Sequence, residues 1–311
     1  MNTYTLSMLV PLGLAGVIST GCGVESAAPA VAVEAAAATG TTLVYGINHD
    51  NFNAFNCLVP HGIHGWRAYR DTIITMENLA SFDTQWPTDL ASDYGTLSLR
   101  LDPTALLSGS LDAKINALMD TAPDHAELTV WHEAGPGNPL NYPSTITATT
   151  LTAMHAYMQA LVTAHGHVKY GQIITGPANQ MINWLGKGLD WYGVDIYDNP
   201  NFENADGTLS QTKIDDRMDQ NKAAFAMVSN GTPSLRITET NSHLDGHRKN
   251  WLLFLSEWMV ANNGFRLLMF FHADGPLSGP FPPSDPVIEY LNKTLIPEFG
   301  RNPTFVNPRV Q

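Results

Sequence analysis

From Thr41 onward the chain alternates between short apolar, β-branched runs and longer segments whose apolar residues recur at helical spacing. An apolar run that ends in a polar cluster and leads into a helix-period stretch predicts a βα unit. A series of such units predicts a parallel sheet. The runs predicted as strands are 43–47, 65–69, 95–101, 127–131, 168–175, 189–196, 234–238 and 265–271. The third is stopped by Asp102-Pro103. Helices are predicted over 111–121, where Ile115, Leu118 and Met119 share a face, and over 147–164, 213–228, 249–262 and 286–295. Eight units in about 260 residues is the ordinary length of a closed barrel. The expected fold class is therefore α/β, a single-domain (β/α)8 TIM barrel over residues 41–311. An open doubly wound sheet is the main rival. It requires a glycine-rich phosphate turn after the first strand, and here that turn reads Asn48-His49-Asp50-Asn51.

The first forty residues carry no such alternation. An apolar stretch from Met8 to Ile18, too short to span a bilayer, leads to Ser19-Thr20-Gly21-Cys22, the arrangement of a bacterial lipoprotein cleavage site. No Lys or Arg precedes the stretch, and Ser19 stands where such sites carry Leu. Residues 1–22 are expected to be an export signal, with lipidation of Cys22 as a membrane tether and a secreted or cell-surface location. The alternative is an apolar leader kept in the mature protein. Residues 23–40 are an Ala-rich linker without a face to bury. Processing at Cys22 leaves Cys57 alone, so no disulfide framework is expected, and a Cys22–Cys57 bridge requires an unmodified Cys22.

Composition narrows the partners. Of 311 residues, 44% are hydrophobic and 14% charged, enough for a large core. The net charge of −13 leaves no basic surface to neutralise phosphates, which argues against a nucleic-acid partner and disfavours anionic membranes. Neutral, hydroxyl-rich substrates remain open, and seven Trp with ten Tyr suit them, since flat rings stack on the apolar faces of sugars.

In a parallel barrel the C-terminal strand ends build the active site. That rule selects His49, Arg67, Arg100, His132, Glu133, Asp195, Tyr197, Glu239 and His272, with Trp131 beside His132, and His243 just past Glu239 as a cleft-lining residue. Two glutamates fall on strands four and seven, each after an apolar strand. Cleaving a glycosidic bond needs one carboxylic acid to protonate the leaving oxygen and one carboxylate to attack or to activate water. A nucleophile requires carboxyl groups about 5–5.5 Å apart. Singly, a glutamate after a strand is an ordinary solvated residue or an Arg partner; the pairing on these two strands points to acid/base and nucleophile. Asp102 and Arg100 read equally as a rim ion pair and as substrate contacts.

Other signals carry less. A zinc-protease reading of His132-Glu133 needs a histidine at position 136, which is Pro. His61/His64, His165/His167 and His243/His247 have metal-site spacings, but with no Cys or carboxylate pattern beside them they read as loop histidines. Residues 198–206 are polar without the spacing of a calcium loop. Gly135-Pro136-Gly137 lacks the Lys and Ser/Thr of a phosphate loop, and no Gly-x-Ser-x-Gly elbow is present. No metal and no cofactor are expected.

Trp131-His132-Glu133, the run Asp190-Trp191-Tyr192-Gly193-Val194-Asp195-Ile196-Tyr197, and Ile237-Thr238-Glu239 resemble clan A of the glycoside hydrolases. The His-Glu pair, where most of the clan has Asn before the acid/base, and the Asp-x-Tyr ending are similar to family 26, the β-mannanase-type enzymes. The likeness runs in order and spacing through most of residues 43–275. It implies Glu133 as acid/base, Glu239 as nucleophile, His132 as a substrate-positioning residue, Tyr197 as a hydrogen-bond donor to the nucleophile, and Asp195 as an orienting group behind them. The chain departs from the family twice. Ala134-Gly135-Pro136-Gly137-Asn138 replaces the tryptophan platform after the acid/base, and Phe271-His272-Ala273-Asp274 stands where a Trp stacks the sugar. The expected activity is retaining, endo-acting hydrolysis of a neutral β-linked polysaccharide. Glu133 would be partly buried against Trp131, and Arg67 or Arg100 would support an ionised Glu239. The rivals are a surface-tethered barrel that binds glycan without cleaving it and a metal-assisted barrel hydrolase.

Overall fold

In the computed structural model the described residues are 44–48, 63–87, 94–124, 126–136, 142–232, 234–240, 242, 245–262 and 265–270, all within the compact unit Ala37–Gln311. The expected export signal, the linker and the helix at 286–295 lie outside the described residues. Eight strands are present: β1 (Val44–Asn48), β2 (Ile63–Ile74), β3 (Tyr94–Leu101), β4 (Ala126–Val130), β5 (Lys169–Thr175), β6 (Trp191–Asp195), β7 (Ser234–Thr240) and β8 (Phe265–Phe270). Each pairs in parallel with the next, and β1 also pairs with β8, which closes the sheet into the expected (β/α)8 barrel.

Seven strands fall where the apolar runs predict them. The exception is β2, which continues to Ile74 after a register break and rejoins β3 at Ile74↔Leu101. Its tail, Asp71-Thr72-Ile73, is exposed. With no face to bury, that tail carries no period-2 apolar signal.

Five α-helices are described: α1 (Pro103–Leu107), α2 (Asp112–Asp120), α3 (Ala148–His165), α4 (Gln211–Val228) and α5 (Asp245–Ala261). Local chemistry sets their ends. Asp102 Oδ1 accepts from Ala105 N at 2.8 Å with Pro103 in the first turn, an N-cap arrangement. This corrects the sequence expectation of a rim pair with Arg100, whose guanidinium lies 3.4 Å from Asp71 instead. Thr147 caps α3 through its hydroxyl, which accepts from Thr150 N at 3.1 Å, and Gly166 ends the helix at φ 77°. Between them, Leu151, Met154, His155, Met158 and Val162 form the buried stripe that packs on the barrel. The β5–β6 connection holds no α-helix; two 3-10 turns, Ala178–Gln180 and Ile182–Trp184, make the crossover. No helix among the described residues is long and apolar enough to cross a membrane.

Alternation along the strands builds two cores. On β7, Leu235 and Ile237 belong to the apolar layer beneath the helices. Arg236, one residue out of phase, reaches Glu127 of β4 at 2.6 Å. Strands four and seven are not neighbours, so this bond crosses the barrel interior. Thr96 of β3 also donates to Glu127, at 3.3 Å, and Arg236 lies 5.9 Å from the Trp191 ring centre. The Trp191 ring lies against Gly171 of β5, where a Cβ would meet it at 2.1 Å, so β5 needs glycine there. Nearer the C-terminal mouth, Arg67 of β2 bonds Asp195 of β6 in a second cross-barrel tie. The site is built on that tie.

Candidate active site

β6 and β7 run in register to Val194↔Ile237, and the next pair is Asp195↔Glu239. The extra residue is Thr238, a bulge that sets Asp195 and Glu239 side by side at the C-terminal mouth. Thr238 Oγ1 donates to Asp195 Oδ1 at 2.7 Å, and Ile196 N donates to the Glu239 carbonyl at 2.9 Å. Across from the bulge stands Gly193; a Cβ there would come within 2.7 Å of Thr238 Cγ2, so only glycine leaves the bulge room.

Arg67 is buried, 1% exposed. Its Nη1 donates to Asp195 Oδ1 and Oδ2 at 3.0 and 3.1 Å and to the Thr238 carbonyl at 3.2 Å, and it lies 2.9 Å from Glu239 Oε1. Burial alone would discourage the guanidinium charge. Asp195, Tyr69, Glu239 and Glu133 reverse that, and Arg67 is held above its ordinary value. Asp195 ends well above the usual carboxylate range: burial is the largest cause, Arg67 pulls it down, and Glu239 and Glu133 push it up.

Glu239 accepts from two phenols. Tyr69 bonds Oε1, and Tyr197 donates to Oε2 at 2.5 Å. Burial first, then the charges of Glu239 and Asp195, raise both hydroxyls well above a normal tyrosine, while Arg67 opposes this at Tyr69. Both phenols therefore stay protonated as donors. With Arg67, they fix both oxygens of Glu239.

Glu133 reaches the mouth by a different device. Trp131 and Glu133 adopt φ of 49° and 59°, in the left-handed region that side-chain-bearing residues avoid. Such conformations cost about 1–3 kcal/mol each and persist where surrounding bonds enforce them. Here those bonds are Trp131 N to Leu99 O at 2.9 Å, Glu133 N to Ile173 O at 3.0 Å, Ala134 N to Trp131 O at 3.1 Å, and Trp131 Nε1 to Leu101 O at 2.7 Å. The backbone turns over at the end of β4 and leaves Glu133 half-buried. Glu133, Asp195 and Glu239 each then offer a carboxylate oxygen, all within 4.8 Å of one another. Three such carboxylates are a possible cation cradle in composition, but Arg67 already supplies positive charge to two of them.

No protein-family model matches the chain, and no curated protein does. Solved structures do. A modular endo-β-1,4-mannanase of family 26 from Cellulomonas fimi superposes with a TM-score of 0.57 at 11% identity, over 87% of this chain and 73% of that one. A family 26 β-mannanase from Bacteroides ovatus gives 0.53 at 9%, over 86% and 90%. A β-D-glucuronidase from Dictyoglomus thermophilum gives 0.53 at 9%, over 86% of this chain and 52% of that one. The chain shares the (β/α)8 barrel fold of these glycoside hydrolases. At such identities the likeness concerns the fold.

Within this barrel the other sequence candidates separate. His132 packs edge-on to Tyr69, with ring centres 5.1 Å apart. Burial, then Arg67 and Arg100, push its imidazole well below the ordinary value, so it is neutral, and its buried Nδ1 has no partner among the described residues. Trp131, expected to touch substrate, is 2% exposed with its indole N–H committed to Leu101. Its burial corrects that expectation and makes it a prop for the turn. Of the two arginines considered for Glu239, Arg67 takes the place and Arg100 sits at the rim with Asp71. His49, His243 and His272 lie outside the described residues.

Tyr69 was missed by sequence reasoning. The signal was its spacing: two residues beyond Arg67, it shares the strand face that points into the barrel.

Proposed function

We propose that the chain is a retaining glycoside hydrolase that cleaves a neutral β-linked polysaccharide by double displacement. One observation carries the reading: oxygens of Glu133 and Glu239 lie within 4.8 Å, and Glu239 is fixed by Arg67, Tyr69 and Tyr197. That spacing suits two carboxyls flanking one anomeric carbon with no room reserved for an intervening water. Glu239 attacks the anomeric carbon as Glu133 protonates the departing glycosidic oxygen, giving a glycosyl ester on Glu239. Glu133, now a carboxylate, takes a proton from water; the hydroxide adds to the same carbon, and Glu239 leaves. Arg67 and the two tyrosines hold the nucleophile's aim and disperse its charge, and Asp195 holds Arg67. Neutral His132, at the mouth beside Glu133, is read as a hydrogen-bonding partner for a sugar hydroxyl.

β-1,4-Linked mannan is the first substrate to test, because neighbours of this fold act on it; β-linked glucan and xylan complete the panel. We read residues 1–22 as an export signal, with Cys22 as a lipid attachment point, 23–40 as a linker and 41–311 as the catalytic barrel working outside the cytoplasm. The mass of the mature N-terminus tests processing. Reducing ends released from the panel test the activity. Glu239→Ala is expected to abolish release and Glu133→Ala to reduce it by several orders of magnitude. The loss of the tryptophan platform at Ala134-Gly135 favours a second reading, glycan binding without cleavage; measurable affinity with no release over long incubation would support it.

A further inference from the structure

A second cluster lies beside the first but shares none of its residues. Asp198 follows Tyr197 in the loop after β6, Glu203 ends the 3-10 turn Pro200–Phe202 in the same loop, and His247 lies in the first turn of α5. The two segments are far apart in sequence, with 49 positions between Asp198 and His247. Each of the three offers a ligand-type atom within 4.8 Å of the other two.

The state of Asp198 is the second observation. Its side chain has no exposure, and a buried carboxylate is costly unless it is fully bonded or paired. Oδ2 accepts from Ser242 Oγ at 2.7 Å and lies 3.1 Å from His247 Nδ1. Oδ1 is equally buried and has no partner among the described residues. No Lys or Arg pairs with Asp198 among those residues either; its ion-pair partner there is His247. The carboxyl group that lies beside Glu203 and His247 therefore keeps one buried oxygen without a partner among the described residues. That combination favours a cation.

Donor chemistry narrows the class. One imidazole nitrogen with two carboxylates is a ligand set for a divalent first-row ion such as zinc, and less suited to all-oxygen calcium. Two donors about 2.0–2.1 Å from a tetrahedral ion stand roughly 3.3 Å apart, so an ion could replace the hydrogen bond between Oδ2 and Nδ1, now 3.1 Å long, with little movement of either group. The Ser242 hydroxyl holds the carboxylate from behind, as the surroundings of metal ligands commonly do. Glu203 is half-buried and the His247 side chain is 20% exposed, so the cluster is open to ions from solvent.

We propose that Asp198, Glu203 and His247 bind a divalent cation of the zinc type that ties the loop after β6 to the start of α5. The ion clamps the residue next to Tyr197 and so steadies the donor to Glu239. The site stands whether or not the barrel cleaves glycans.

Full-length protein stripped with chelator and dialysed is titrated with zinc sulfate by calorimetry, and its melting temperature is followed in parallel. Zinc is expected to bind and to raise the melting temperature. Glu203→Gln and His247→Gln, both at partly exposed positions, are each expected to weaken binding at least tenfold, whereas His167→Ala leaves it unchanged. Zinc affinity and thermal shift identical to wild type in both Gln variants would overturn the proposal, as would a wild-type protein with neither binding nor shift.

Discussion

Arg67 Nη1 lies 2.9 Å from Glu239 Oε1 while the same nitrogen holds Asp195 at 3.0 Å, so one buried guanidinium compensates two carboxylates. Arg67→Met leaves both acids without that cation. Breaking a buried pair by removing one partner costs about 3–5 kcal/mol. Urea unfolding of the variant is expected to show a loss in that range, with activity lost as well. Arg67→Lys should recover part of the stability, because it keeps the charge but not the planar fork. A Met variant as stable as wild type would contradict the role assigned to Arg67.

Tyr69 and Tyr197 each donate to one oxygen of Glu239. A hydrogen bond to a charged group contributes about 1.5–3 kcal/mol, so each Tyr→Phe change should lower kcat/KM about 10- to 150-fold. The sequence resemblance assigned this duty to Tyr197 alone. Kinetics within twofold of wild type for Tyr69→Phe would show that its bond to Glu239 does not matter.

The barrel was legible in the sequence because most of its strands bury an apolar run and its helices carry an apolar stripe. What escaped has common physical causes. The tail of β2 at Asp71-Thr72-Ile73 is exposed, so the expected strand stopped at Tyr69. The bulge at Thr238 is a property of pairing, and pairing is invisible in one strand. The left-handed turn at Trp131 and Glu133 is imposed by bonds to Leu99 and Ile173, on other strands. Glu133, Glu239, Tyr197 and Asp195, which the structure gathers at the mouth, were legible as candidates because each ends or follows a strand there. Asp198, Glu203 and His247 were dismissed as two unrelated polar patterns, since only folding brings their segments together.

Gly193 tests the bulge. In Gly193→Ala a methyl would stand 2.7 Å from Thr238 Cγ2 and 2.8 Å from its Oγ1, forcing the bulge away from β6. Overpacking of this kind costs about 1–3 kcal/mol. Because Thr238 bonds Asp195 and precedes Glu239, activity should fall further than stability alone explains. A fully folded, fully active variant by circular dichroism and turnover would show that the bulge does not position Glu239.

His155 makes stability depend on pH. It is wholly buried, its Nδ1 lies 2.7 Å from the Tyr170 hydroxyl, and burial pushes its imidazole down to about 3. The unfolded chain takes up this proton near pH 6.5, whereas the folded protein resists until about pH 3. The stability contributed by neutral His155 is therefore fully present above pH 6.5 and is lost as pH falls through that window. His155→Gln should be destabilising at pH 8 and progressively less so, relative to wild type, as the pH falls to 4. A stability difference that does not change with pH would contradict this.

The buried pair Arg236–Glu127, at 2.6 Å, should behave as a structural tie. Arg236→Met alone is expected to destabilise by about 3–5 kcal/mol, and the double change with Glu127→Leu by much less. Denaturant titration of the two variants and wild type measures the difference.

Direct attack of Glu239 on the sugar fixes the stereochemistry of the product. The direct measurement is proton NMR of the first products released from a β-linked oligosaccharide that the protein accepts. Under double displacement the β-anomer appears first and then mutarotates to the equilibrium mixture. Initial appearance of the α-anomer would mean direct attack by water, and it would contradict the double displacement proposed for Glu133 and Glu239.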